Sequence, residues 1–189
     1  MKKIVTIGLG ILLISAILVA CISQIPTDNM LMDILQSKKM FINESGESVY
    51  LKDYKIKSSQ NIEIKPQKYA LIDFDNDGVN ELVVYISENY GAYLVFYLYN
   101  ENVYGFEFPE RAMICLKSDG SFIQSEGAGI DTYVAIVFDK TEYQILEKAY
   151  VNDMDNQYRL NGKADTLENT KDFTKKFEQK SNVKWAEIN

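Results

Sequence analysis

From Tyr69 to Ile86 the chain reads YALIDFDNDGVNELVVYI, with Asp73, Asp75 and Asp77 at alternate positions, Gly78 next and Glu81 shortly after. Acidic side chains spaced in this way on a tight turn can converge on one point. Calcium takes about six to eight hard oxygens at roughly 2.3–2.6 Å, and this pattern supplies oxygens of that kind. Gly78 permits a sharp backbone turn, after which the Val79 carbonyl can face an ion. Four carboxylates brought together repel one another unless a cation neutralises them. The expected ligands are therefore Asp73, Asp75, Asp77, Val79 and Glu81, with calcium as the cofactor. The competing reading is a polar hairpin turn, where Asp and Asn simply suit the backbone.

The loop resembles the DxDxDG calcium loops of helix-loop-helix sites, dockerins and FG-GAP blades. A helix-loop-helix loop needs a bidentate Glu at its twelfth position, and counted from Asp73 that position is Val84. The flanks YALID and ELVVYI have the composition of strands. An acid at the ninth position, Glu81, is similar to the FG-GAP style, where that residue is usually Asp. Whether Glu81 binds directly or through water stays open. One loop is too few for a propeller, which repeats its motif in several blades.

Other chemistries are narrowed by composition. The 189 residues include no histidine, so mechanisms that need an imidazole base or ligand are excluded. Lys and Arg total 20 against 27 Asp and Glu, which argues against a nucleic-acid partner. A glycoside hydrolase needs only two carboxylates, and Glu107 and Glu110, followed by Arg111 in GFEFPER, are the best placed. A solvated edge or a structural Glu–Arg pair is the alternative there. In AYLVFYLY, strand alternation puts Leu94, Phe96 and Leu98 on a core face and Tyr93, Tyr97 and Tyr99 on the other, with Tyr85 and Tyr104 able to join from neighbouring strands. Such a tyrosine face would suit a sugar or peptide ligand, unless the protein's own elements cover it. Gly127 and Gly129 in SEGAG lack a phosphate-loop lysine and read as a turn, and NDMDN at 152–156 reads as a second solvated turn.

The chain opens with Lys2 and Lys3, then an uncharged apolar run from Ile4 to Ala20, then Cys21. This is the pattern of a secretory signal, and the run is at the lower limit for a bilayer-spanning helix. Leu18, Val19, Ala20 and Cys21 resemble the lipobox of bacterial lipoproteins. The resemblance implies residues 1–20 as signal peptide, a mature chain anchored through lipid on Cys21, and a location on the outer face of the bacterial cytoplasmic membrane. Losing residues 1–20 removes two lysines and no acid, so the exported part is more acidic than the whole chain, whose net charge is −7. With Cys21 committed to lipid, Cys115 has no disulfide partner and reads as a small buried hydrophobe on a strand.

Residues 21–28 read as a tether and 29–189 as a single α+β domain. Asp28 is placed to cap a short helix carrying Leu31, Ile34 and Leu35 at helical spacing. Short strands are expected at 49–54 and 62–64. Eight more follow, at 69–74, 81–87, 92–100, 103–108, 112–117, 121–125, 132–139 and 143–151, with brief links that favour a mostly antiparallel meander. Phe173 and Phe177, one turn apart, mark an amphipathic helix over 166–180, and VKWAEI a last strand. The order of these features resembles uncharacterised exported lipoproteins of Gram-positive bacteria with a single DxDxDG loop. The expected function is that of a cell-surface lipoprotein, a calcium-stabilised binding or envelope-interaction module of unknown extracellular ligand. The alternative is a carboxylate-dependent hydrolase of envelope glycans.

Overall fold

The computed structural model describes residues 27–56, 65–86 and 91–188. Its helices are α1 (Thr27–Leu35) and α2 (Leu167–Glu178). The strands of the first half are β1 (Phe41–Asn43), β2 (Ser48–Val49), β3 (Pro66–Ile72), β4 (Glu81–Ile86), β5 (Ala92–Tyr99) and β6 (Asn102–Pro109). Those of the second half are β7 (Phe122–Gly127), β8 (Ile130–Asp139), β9 (Glu142–Asn152), β10 (Gln157–Leu160), β11 (Lys163–Ala164) and β12 (Ala186–Glu187). The fold is α+β and mostly antiparallel, with a short helix near the start and an amphipathic helix near the end, as the sequence pattern predicts.

The strands form two sheets, one in the order β12-β3-β4-β5-β6-β1-β2 and the other β11-β10-β9-β8-β7. Side-chain alternation gives each sheet two faces, and both faces of both sheets are used. On the outer face of the first sheet, Leu82, Val84, Leu94 and Phe96 pack with Leu31 and Ile34 of α1. Its inner face carries Val83, Val95, Phe106 and Phe108, which meet Phe122, Val134, Ile136 and Phe138 of the second sheet. The second sheet's outer face presents Tyr133 and Ala149 to Phe177 of α2, with the Tyr133 and Phe177 rings 4.9 Å apart. Four layers result: helix, sheet, sheet, helix.

Local chemistry explains the punctuation. Asn100 and Glu101 both have positive φ (48° and 65°) between the paired Tyr99 and Asn102, the backbone a two-residue hairpin requires. The Thr166 hydroxyl accepts the Asn169 N–H at 3.2 Å and caps α2, while Phe173 and Phe177 turn inward from it.

Several expectations are corrected. The helix α1 begins at Thr27, so Asp28 stands in its first turn and does not cap it. The meander is divided between two sheets, and β1 joins β6 in parallel. Residues 112–117 are not a strand: a 3-10 turn covers Glu110–Ala112, and the rest makes two isolated bridges, Ile114 to Ile123 and Lys117 to Asn182. Met113 and Leu116 are buried on either side of Cys115, which is exposed with φ of 53°. Ile114 is held half-buried by its bridge to Ile123, and the positive φ at Cys115 turns the chain so that Leu116 returns to the core while the thiol faces out. The signal peptide, Leu18 to Cys21, the tether up to residue 26 and the strand expected at 62–64 lie outside the described residues. Among the described residues no helix is long and apolar enough to cross a membrane.

Candidate metal centre

The acidic loop joins β3 to β4, spanning residues 73–80. Its backbone is held by its own carboxylates. Asp73 accepts the Asp77 N–H at 3.1 Å and the Gly78 N–H at 3.0 Å, one on each oxygen. Asp77 turns back to accept the Val79 N–H at 2.7 Å. Asn76 and Gly78 take positive φ (62° and 86°), which Gly78 adopts without a side-chain penalty. An alternating acid sequence thus folds into a tight loop because short carboxylates can replace the missing ladder partners.

Asp73, Asp75 and Glu81 each offer a carboxylate oxygen, and these oxygens lie within 4.8 Å of one another. Asp77 is exposed and stands outside this group, and Val79 is half-buried beside it. Glu81 is the unusual member. It is the first residue of β4, opposite Ile72, so alternation directs it to the inner face, where it is 0% exposed. One of its oxygens accepts the Phe74 N–H at 2.9 Å, and the other, Oε1, is buried with no hydrogen-bond partner. Burial first, and then the charges of Asp75, Asp77 and Asp73, push its pKa up to about 8, against the Phe74 hydrogen bond that lowers it. Burial and the neighbouring Asp77 raise Asp75 too, while the Phe138 N–H at the end of β8 opposes the shift.

Leaving a buried carboxylate oxygen without a partner costs several kcal/mol when the group is charged. A cation bound between Asp73, Asp75 and Glu81 would remove that cost and the repulsion together. These three acidic residues could hold a metal ion. The loop also ties the two sheets together. Phe74 packs edge-on to Phe138, with centroids 6.4 Å apart, and its backbone lies against Gly120, where an added Cβ would stand 2.6 Å from the Phe74 Cα.

The tyrosines share one face, as alternation requires, but that face meets the second sheet. Tyr97 stacks on Phe138 with centroids 4.5 Å apart, and Tyr93 lies between Tyr85 at 5.0 Å and Trp185 at 6.1 Å. Burial is the main reason that the Tyr93 hydroxyl is pushed up to about 12. Tyr99, near the end of β5, is half-buried. Sequence alternation places three rings together and is silent on a sheet that arrives from later in the chain. The acids Glu107 and Glu110 are anchored separately. Glu107 accepts the Tyr54 hydroxyl at 3.0 Å on the α1 side, and Glu110 accepts the Tyr85 hydroxyl, on the opposite face, at 3.2 Å. Arg111 lies toward Ser125, at 3.5 Å. SEGAG is the end of β7 and the Ala128–Gly129 turn into β8, and at 152–156 Asn152 accepts the N–H groups of Met154 and Asp155, both at 3.1 Å, closing a plain turn.

Comparison with models of protein families, with curated proteins and with solved structures gave no match for this chain.

Proposed function

We propose that this protein is an extracytoplasmic lipoprotein whose two-sheet domain is a calcium-stabilised binding or envelope-interaction module. The observation that carries the metal reading is Glu81, a fully buried carboxylate with an unpartnered oxygen, set beside Asp73 and Asp75. Hard oxygen donors favour calcium or magnesium, and calcium tolerates an irregular loop where magnesium demands near-octahedral geometry. The role is structural. The loop spans a sheet connection and leans on the second sheet through Phe74, so an ion there stiffens the contact between sheets.

The address rests on Lys2, Lys3, the apolar run and the Leu18–Cys21 tetrad. Extracellular calcium modules commonly have dissociation constants of about 10⁻⁴–10⁻³ M, which millimolar calcium outside the cell would fill. Nucleic acid is not a partner in this reading, and acyl chains on Cys21 supply the membrane attachment at about 0.8 kcal/mol per buried methylene. Separation of Glu107 and Glu110 onto opposite faces favours the module over a hydrolase that would use them as a pair.

Titration calorimetry of wild type and Asp73→Asn with calcium tests the metal. Heat from wild type and none from the variant is expected, and a silent wild type returns the loop to a polar turn. Fractionation of Cys21→Ser tests the anchor. The variant should leave the membrane or persist as uncleaved precursor, and wild-type behaviour would overturn the lipoprotein reading.

A further inference from the structure

Asp75 belongs to two places at once. Besides standing with Asp73 and Glu81, it lines a cavity of about 300 Å³ with Ala135, Val137 and Leu146 from the second sheet, Lys148 from β9 and Phe173 from α2. The cavity therefore combines an apolar lining and an aromatic ring with charges of both signs.

Lys148 is the residue that defines it. In the β8–β9 ladder Ala149 opposes Tyr133 and Glu147 opposes Val134, which leaves Lys148 as one extra residue without a partner on β8, while its carbonyl accepts the Asn161 N–H on the other side at 3.0 Å. Bulges of this kind re-aim a side chain, and they recur beside functional sites. Lys148 is half-buried, and among the described residues no hydrogen bond or ion pair holds its ammonium. The other lysine at this cavity, Lys180, is committed already, to Asp119 at 2.7 Å and Ser121 at 3.0 Å. A half-buried lysine with an uncommitted head is a ready partner for an anion.

We propose that this cavity is the module's ligand site and takes a hydroxylated anion, a carboxylated or phosphorylated sugar or polyol, with its acid on Lys148 and its C–H face on Leu146 and Phe173. The inference rests on the metal reading and deepens it. Without a cation, Asp75 and the carboxylates behind it repel an anion. A divalent ion turns that wall from negative toward neutral, so calcium and the anion bind cooperatively, each raising the other's affinity by the same factor.

The test uses the full-length chain in detergent micelles, with methyl glucuronide and glycerol phosphate as separate probes followed by saturation-transfer NMR, in millimolar calcium and in chelator. Calorimetry follows calcium itself in parallel. At least one probe should bind in calcium and bind about fivefold or more weakly in chelator. Response to the glucuronide alone assigns a carboxylate ligand, and response to glycerol phosphate alone assigns a phosphate. Lys148→Gln should weaken binding about tenfold or more. Ala135→Leu, which fills the cavity without changing its charge, should do the same, and both variants should titrate calcium as wild type does. If calcium binds and neither probe does, the ligand site is wrong and the metal reading stands. Probe binding indifferent to both substitutions would place the anion elsewhere and overturn the proposal, as would binding indifferent to calcium in a protein that takes calcium up. A protein that gives no calcium heat sinks the metal reading and the coupling with it.

Discussion

In calcium-free protein Glu81 should govern how stability changes between about pH 5 and pH 8. Its folded pKa, pushed up from 4.5 to about 8, lies above the unfolded value. The folded state therefore holds a proton that the unfolded chain has released. The stability linked to that proton is complete below about pH 4.5 and is lost as pH rises through about 8. Each pH unit in the window removes up to about 1.4 kcal/mol, so stability should fall by about 3–4 kcal/mol from pH 5 to pH 8. At about 2–4 °C per kcal/mol for a domain of this size, the melting midpoint in chelator drops by roughly 10 °C. The lowered carboxylates, Asp119 held by Lys180 and Ser121 and Glu147 held by Arg159, lose their contribution as pH falls through their folded pKa values, below this window. Glu81→Gln keeps the acceptor for the Phe74 N–H and removes the proton, so its chelated melts should stay nearly level over the same range. Calcium needs the ionised carboxylate. Binding at pH 7 should then expel about 0.9 proton from a group of pKa about 8, seen as a dependence of the calorimetric heat on buffer ionisation enthalpy. Parallel decline of wild type and Glu81→Gln from pH 5 to pH 8, or calcium binding with no proton released, would refute the reasoning.

Asp75→Ala should abolish the calcium-induced stabilisation, about 1.4 kcal/mol at ten times the dissociation constant, yet leave the chelated protein no less stable, because it relieves the repulsion on Glu81. Thermal melts in chelator and in calcium compare the two. Gly120→Ala should destabilise by about 2–4 kcal/mol in urea unfolding, since φ is 75° and the new Cβ would stand 2.6 Å from the Phe74 Cα. Tyr97→Ala should cost about 2–3 kcal/mol by loss of its stack on Phe138. An unchanged urea midpoint would show that ring to be dispensable to the core.

Much of the molecule is local and could be read locally. The hairpin from Tyr97 to Tyr104, the helix carrying Phe173 and Phe177 and the spacing of Asp73, Asp75 and Glu81 follow from period, turn chemistry and residue type, which act over a few residues. Two sheets instead of one continuous meander could not be read this way. Hairpin links specify which strands are neighbours along the chain, but stacking depends on which inner face finds another to bury it. The tyrosine face shows the consequence: alternation groups Tyr93 and Tyr97, and Phe138 and Trp185, distant in sequence, stack on these rings and leave them half-buried. Cys115 is exposed for a related reason, since the bridge of Ile114 to Ile123 and the return of Leu116 to the core leave its thiol facing out.

The three acidic residues that could hold a metal ion were legible in the spacing, because a short loop constrains its own side chains. Two features that give the centre its character were not. Burial of Glu81 arises because β4 starts on the inner face and a second sheet covers it, which turns an ordinary carboxylate into one that needs a proton or a cation. The bulge at Lys148 exists only in the register between β8 and β9. The sequence by itself determined which residues could meet an ion, through spacing and chemical type. The tertiary structure alone decided what surrounds them, because burial and cross-strand register depend on segments far apart in the chain.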